Sequence, residues 1–124
     1  MAHETILVAD DNTVIVKILK TFLEQESFKV ITAYDGQEAL DKVSQKKPDL
    51  ILLDIGMPKI NGYLVCKKLK DDIKTKDIPI IMLTVKGNES DKTWGLGMGA
   101  DEYLDKSIEP IELVKILKER LRRE

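Results

Sequence analysis

At 124 residues, with 43% hydrophobic and 34% charged side chains, the chain has the size and composition of one globular domain with a real core. A formal net charge of −2 argues against a basic nucleic-acid-binding surface, and no apolar run approaches the length of a membrane span. The start, MAHETILVAD, lacks the basic and long apolar regions of a signal peptide, and the single Cys66 allows no internal disulfide, so a cytoplasmic protein is expected.

Two periodicities alternate along the chain. TILVAD (5–10) is a short apolar run, read as a buried strand. Val14, Ile15, Ile18, Leu19, Phe22 and Leu23 then fall at helical spacing and predict one apolar stripe. FKVITA (28–33) returns to strand character. Asp35 and Glu38 resemble a capping box, ahead of a short stripe of Ala39, Leu40 and Val43. Pro48 and Asp49 break the chain before LILLD (50–54). Gly62 opens another helix, with Val65, Leu69 and Ile73 expected on one side. IIMLT (80–84) is a fourth buried strand. ESDKTWGLGMG reads as a helix weakened by Gly95 and Gly97, ending at a Gly99 cap. DEYLDK holds a fifth strand. Pro110 suits the first position of a last helix, with a stripe of Leu113, Val114, Leu117 and Leu121.

The order is therefore βα five times. Strands without polar alternation are buried on both faces, which predicts an α/β doubly wound parallel sheet covered by helices on both sides. With no repeat, low-complexity tract or linker, a single domain over residues 1–124 is expected.

Ligands of such sheets sit outside the carboxyl ends of the strands. There the predicted strands end in Asp10 and Asp11, in Asp54 and in Thr84, and Lys106 follows the fifth. Each has an ordinary reading: Asp10-Asp11-Asn12 as helix caps, Thr84 as a satisfied strand residue, Lys106 as a solvated lysine. Together they make an unusual set on one edge. Clustered carboxylates repel one another unless a cation neutralises them. Oxygen donors without His or Cys suit a hard cation, Mg²⁺ foremost. A lysine beside that cation implies an additional anion, and a phosphoryl group meets the demand. Asp54, leaving a rigid buried strand, is the expected nucleophile. The glycines of GLGMGA lie late in a helix and do not form a phosphate loop. Trp94 is either partial packing or an anchor for a partner.

These residues resemble the receiver domains of two-component response regulators, a family that includes the chemotaxis receivers. The resemblance rests on VADDN, LLDIGMP with Gly62 following, IIMLT and GADEYLDK, and it spans essentially the whole chain. It implies a flavodoxin-like (βα)5 sheet of order 2-1-3-4-5 and a phosphorylation-controlled signalling switch rather than an enzyme, although such domains assist their own phosphorylation and dephosphorylation. It implies Asp54 as phospho-acceptor. It implies Mg²⁺ bound by Asp11, Asp54 and the carbonyl of Gly56, with Asp10 helping directly or through water. Thr84 and Lys106 would hold the phosphoryl oxygens, and Tyr103 would be the aromatic switch. The implied donor is a sensor histidine kinase or histidine phosphotransfer protein. The implied output is a downstream protein or domain that reads the surface of helix four, strand five and helix five, without direct nucleic-acid or membrane binding.

Two departures from the family pattern carry expectations. Ser107 replaces the usual proline, so a trans Lys106–Ser107 bond is expected, because a cis bond without proline costs about 2.5–4 kcal/mol. Val85 replaces a small residue after Thr84 and is expected to slow phosphoryl exchange. Competing classes are a Mg²⁺ phosphohydrolase, a nucleotide- or flavin-binding domain, and a receiver that is part of a larger regulator. The first is disfavoured by Gly56 where a second acid would stand, and the second by the missing glycine loop after the first strand.

Overall fold

A computed structural model describes residues 3–84 and 99–122. The predicted helix over ESDKTWGLGMG, with Trp94, Gly95 and Gly97, and the residue Val85 lie outside the described residues, Gly99 excepted.

In chain order the elements are β1 (Thr5–Ala9), α1 (Thr13–Gln25), β2 (Lys29–Ala33), α2 (Gly36–Lys46), β3 (Leu50–Asp54), α3 (Gly62–Asp71), β4 (Ile80–Thr84), β5 (Glu102–Asp105) and the C-terminal helix (Pro110–Arg122). The five strands form one parallel sheet of order β2-β1-β3-β4-β5, as expected. Every strand residue of β3 is buried. Successive side chains of a strand point to opposite faces, and both faces here are covered. Leu7, Ile51, Leu53 and Met82 pack with Ala39 and Val43 of α2 and with Val65, Cys66 and Leu69 of α3. Ile6, Val8, Leu50, Leu52 and Ile81 pack with Val16 and Leu23 of α1 and with Leu113, Val114 and Leu117 of the C-terminal helix. Burying each large aliphatic side chain contributes roughly 1.5–3 kcal/mol, so β3, central and sealed on both faces, is the most firmly fixed element of the sheet.

Two predicted stripes are corrected. In α1 the buried positions are Val16 and Leu23, while Val14 and Ile18 are 64% and 54% exposed. Its first half is apolar on nearly every side (TVIVKIL), so spacing alone does not choose the inward face. Ile73 falls beyond the end of α3 and is 80% exposed. There α3 ends at Asp71 and an irregular turn carries Ile73 away from the core.

The helix starts follow their caps. Asn12, not Asp10 or Asp11, caps α1, its side chain accepting from the N–H groups of Val14 and Ile15. Asp35 caps α2 through the Glu38 N–H at 2.8 Å, and Glu38 reaches back to the N–H of Tyr34, one residue before the position a capping box uses. Gly99 has φ +99°, a conformation that favours glycine, and an added Cβ there would meet the Lys70 side chain. Beyond it, Asp101 accepts from Lys70 Nζ and from the Ile80 N–H, which ties the approach to β5 to the start of β4.

Candidate functional site

Because every strand runs the same way, the carboxyl ends of β1, β3, β4 and β5 meet at one edge. Asp10 follows β1 directly and is held there by its N–H donating to the Ala33 carbonyl at 3.1 Å. Its Oδ1 accepts from the Asn12 N–H at 3.0 Å. Asp54 is the last residue of β3. The carboxylates of Asp10, Asp11 and Asp54 offer oxygens within 4.8 Å of one another. Asp10 and Asp54 are only 2% and 7% exposed, whereas Asp11 faces solvent. With Asn12 serving as the helix cap, Asp10 and Asp11 are not occupied by capping.

Lys106 completes the cluster. Its ammonium stands 2.9 Å from Asp54 Oδ1 and 3.0 Å from Asp10 Oδ2. Burial raises the Asp54 pKa above the ordinary carboxylate value. The Lys106 hydrogen bond opposes that rise, and the charges of Asp10 and Asp11 add to it. For Lys106, burial works against the ammonium, but the two carboxylates outweigh it and hold the pKa above its usual value. Three carboxylates against one ammonium leave two negative charges unbalanced when all are ionised.

The donor set suits a small hard cation. All its atoms are oxygens, and three carboxylates converge from two strand ends. Beyond its ion pair with Lys106, Asp10 Oδ2 is buried with no further hydrogen-bond partner among the described residues. A buried oxygen with spare acceptor capacity is what a metal ligand requires.

The loop after β3 is built around close backbone contacts. The Gly62 N–H donates to the Ile55 carbonyl at 2.8 Å. A Cβ on Gly62 would fall on the Asp54 carbonyl oxygen and 2.8 Å from Ile55 Cα. At Gly56 an added Cβ would have no neighbour within 4 Å.

Of the expected site residues, the structure gathers Asp10, Asp11, Asp54 and Lys106. Thr84 ends β4 and binds the Lys106 N–H through its carbonyl at 2.6 Å. Tyr103 lies on β5 opposite Met82, and its ring packs on the α2–α3 side of the core. The Tyr103 hydroxyl is buried without a hydrogen-bond partner among the described residues, so it is not bonded to Thr84. Among the described residues no peptide bond is cis, so Lys106–Ser107 is trans as expected. One residue stands out that the sequence reading passed over. Asp105 accepts from both the N–H and the hydroxyl of Ser107. An aspartate two residues before a serine at a strand end is the available signal for such a turn.

Buried acids and one lysine at the carboxyl edge of a 2-1-3-4-5 parallel sheet define the class as a doubly wound α/β domain with an acidic site at its strand ends. The chain belongs to the response regulator receiver domain family, whose model matches residues 6–118. It is 46% identical over 121 residues to the alkaline phosphatase synthesis transcriptional regulatory protein PhoP of Bacillus subtilis, covering 98% of this chain and 50% of that one. The chain thus spans about half the length of the curated relatives it matches. A putative response regulator from Chloroflexus aurantiacus has a TM-score of 0.93 and 36% identity, covering 98% of this chain and 99% of that one. The receiver domain of a sensor histidine kinase from Pseudomonas aeruginosa, solved with magnesium coordinated in its active-site cleft, has a TM-score of 0.88 and 28% identity, covering 95% and 97%. Members of this family are switches in phosphorylation-based signalling rather than enzymes in the ordinary sense. Among the described residues no helix is long and apolar enough to cross a membrane.

Proposed function

We propose that this chain is the receiver of a cytoplasmic two-component phosphorelay, with Asp54 as phospho-acceptor. The observation that carries the reading is Lys106, whose ammonium lies within 3.0 Å of both Asp10 and Asp54 at the sealed end of β3.

A sensor histidine kinase or a histidine phosphotransfer protein supplies the phosphoryl group from a phosphohistidine. An Asp54 carboxylate oxygen attacks phosphorus, the new O–P bond forms, and the P–N bond breaks with its electron pair going to the imidazole. Because the transition state spreads charge over the transferred oxygens, positioning and charge compensation supply most of the catalysis. Asp10, Asp11, Asp54 and the Gly56 carbonyl would hold Mg²⁺, which would supply positive charge to offset the carboxylates and the incoming phosphoryl group. Lys106 leaves its place between the two aspartates to take a phosphoryl oxygen. Thr84 donates its hydroxyl to another. Tyr103 is the group through which Thr84 engagement reaches the fifth strand and the surface around the C-terminal helix. A downstream partner or output domain reads that surface. The names of the relatives, transcriptional regulators, support gene control as the output.

Intact-mass analysis after incubation with acetyl phosphate and Mg²⁺ tests the reading. The wild type is expected to gain one phosphoryl group only when Mg²⁺ is present, and Asp54→Asn to gain none. An adduct of equal yield on Asp54→Asn, or no adduct on the wild type, overturns it.

A further inference from the structure

The turn that carries Lys106 is closed twice. The Ile108 N–H donates to the Asp105 carbonyl at 3.0 Å, so residues 105–108 form a hydrogen-bonded turn with Lys106 and Ser107 in its centre. The Asp105 side chain closes the same turn from one side. Its Oδ1 accepts from the Ser107 N–H and from the Ser107 hydroxyl, both at 2.8 Å. This is an Asx turn laid over a backbone turn. The Lys106 N–H meanwhile continues the β4–β5 ladder one step beyond the strand, donating to the Thr84 carbonyl.

The arrangement matters because of what Lys106 reaches. Its stem is long and flexible, yet its ammonium lies 2.9 Å from Asp54 and 3.0 Å from Asp10 at once, close to where it would take a phosphoryl oxygen. β5 is an edge strand, and among the described residues one ladder bond continues beyond it. A functional group is placed accurately only when its support is itself held. Asp105 and Ser107 supply that support through their shared turn.

We propose that Asp105 and Ser107 are positioning residues for phosphoryl transfer: their turn sets where the Lys106 ammonium stands and thereby sets the maximal rate at Asp54. The inference rests on the acceptor role proposed for Asp54. In the transfer from acetyl phosphate, the Asp54 oxygen–phosphorus bond forms and the donor phosphorus–oxygen bond breaks, acetate leaving with the electron pair. Neither Asp105 nor Ser107 gains or loses a proton.

The test is the rate of Asp54 phosphorylation against acetyl phosphate concentration at saturating Mg²⁺, with thermal melts in parallel. A displacement of about 1 Å at a reacting centre lowers rates by up to about a hundredfold. Asp105→Ala, which removes the two side-chain bonds to Ser107, is expected to lower the maximal rate about tenfold while leaving the half-saturating donor concentration unchanged. Asp105→Asn keeps the acceptor oxygen and is expected to restore the wild-type rate. Ser107→Ala, at an exposed position, loses one bond of the two and is expected to lie between, about threefold down. It carries the test if Asp105→Ala does not fold. A wild-type maximal rate in Asp105→Ala or, where that variant does not fold, in Ser107→Ala overturns the proposal. So does an Asp105→Asn as slow as the alanine variant, or a loss seen only in the half-saturating concentration. A wild type that takes no phosphoryl group overturns the acceptor reading and this one with it, and it is told apart because the wild type itself is then silent.

Discussion

Tyr103 shows how one atom can oppose a fold that its ring supports. The ring packs with the α2–α3 side of the core, but its hydroxyl is buried without a hydrogen-bond partner among the described residues. A buried hydroxyl left unsatisfied costs about 1–3 kcal/mol, whereas the same ring without it costs nothing of the kind. Tyr103→Phe is therefore expected to raise stability by about 1 kcal/mol, seen as a higher urea midpoint at unchanged slope. A lower midpoint would mean that the hydroxyl makes a bond of structural weight. Cys66 is the contrasting case. Burial pushes its thiol up to about 11, so the group is a small apolar filler of α3 and not a nucleophile.

At the scale of elements, the loop from β3 to α3 decides where Asp54 can stand. Gly62 lets α3 start against the backbone of Asp54 and Ile55, and the atoms that a Cβ would strike are backbone atoms that cannot turn aside. Gly62→Ala is expected to cost about 1–3 kcal/mol through overpacking. It should also slow phosphorylation of Asp54, because the strand end and the helix start are forced apart. Gly56, six residues earlier on the same loop, has open space where its Cβ would go. Gly56→Ala is expected to change stability by no more than about 0.5 kcal/mol. Equal losses in the two variants, measured by denaturant titration, would show that the close approach at Gly62 does not bear on the loop.

The same elements show what the sequence could and could not say. LILLD followed by a turn is legible because a strand sealed on both faces has no polar position until it leaves the sheet, so Asp54 is read directly from the end of the apolar run. Asp10, Thr84 and Lys106 follow by the same logic at β1, β4 and β5. The inward face of α1 was not legible, since Val14, Ile15, Val16 and Ile18 offer competing stripes and only packing against Ile6, Val8 and the C-terminal helix selects Val16. The Asp105–Ser107 turn was not legible either. Its acceptor and donor types are visible in DKS, but their role depends on the trans geometry and on where the Lys106 ammonium ends.

Over the whole molecule, the site is a concentration of negative charge that the fold holds against its own stability. Burial, with Asp10 and Asp11 nearby, raises the folded-state pKa of Asp54 above its unfolded value near 3.8, although Lys106 pulls it back. The folded chain therefore binds the Asp54 proton more tightly than the unfolded chain does. The stability this proton contributes is present in full below the unfolded pKa and is lost as pH rises through the folded one. At neutral pH and without metal, ionised Asp54 is consequently a liability, and Asp54→Asn is expected to unfold at a higher temperature than the wild type. The advantage should shrink as pH falls through the raised pKa of Asp54 and toward 3.8. Magnesium should reverse the order. A cation that binds the folded carboxylates and not the unfolded chain stabilises by mass action, by about 2.7 kcal/mol at a hundredfold excess over its dissociation constant. That gain should appear in the wild type and be sharply reduced in Asp54→Asn, which retains only two of the three converging carboxylates. Thermal melts of both proteins at pH 7 and near pH 4, with and without Mg²⁺, check the whole pattern. An Asp54→Asn that is less stable than the wild type at pH 7 without metal would mean that the Lys106 ion pair outweighs the burial of charge. An equal Mg²⁺ shift in the two proteins would take Asp54 out of the metal site.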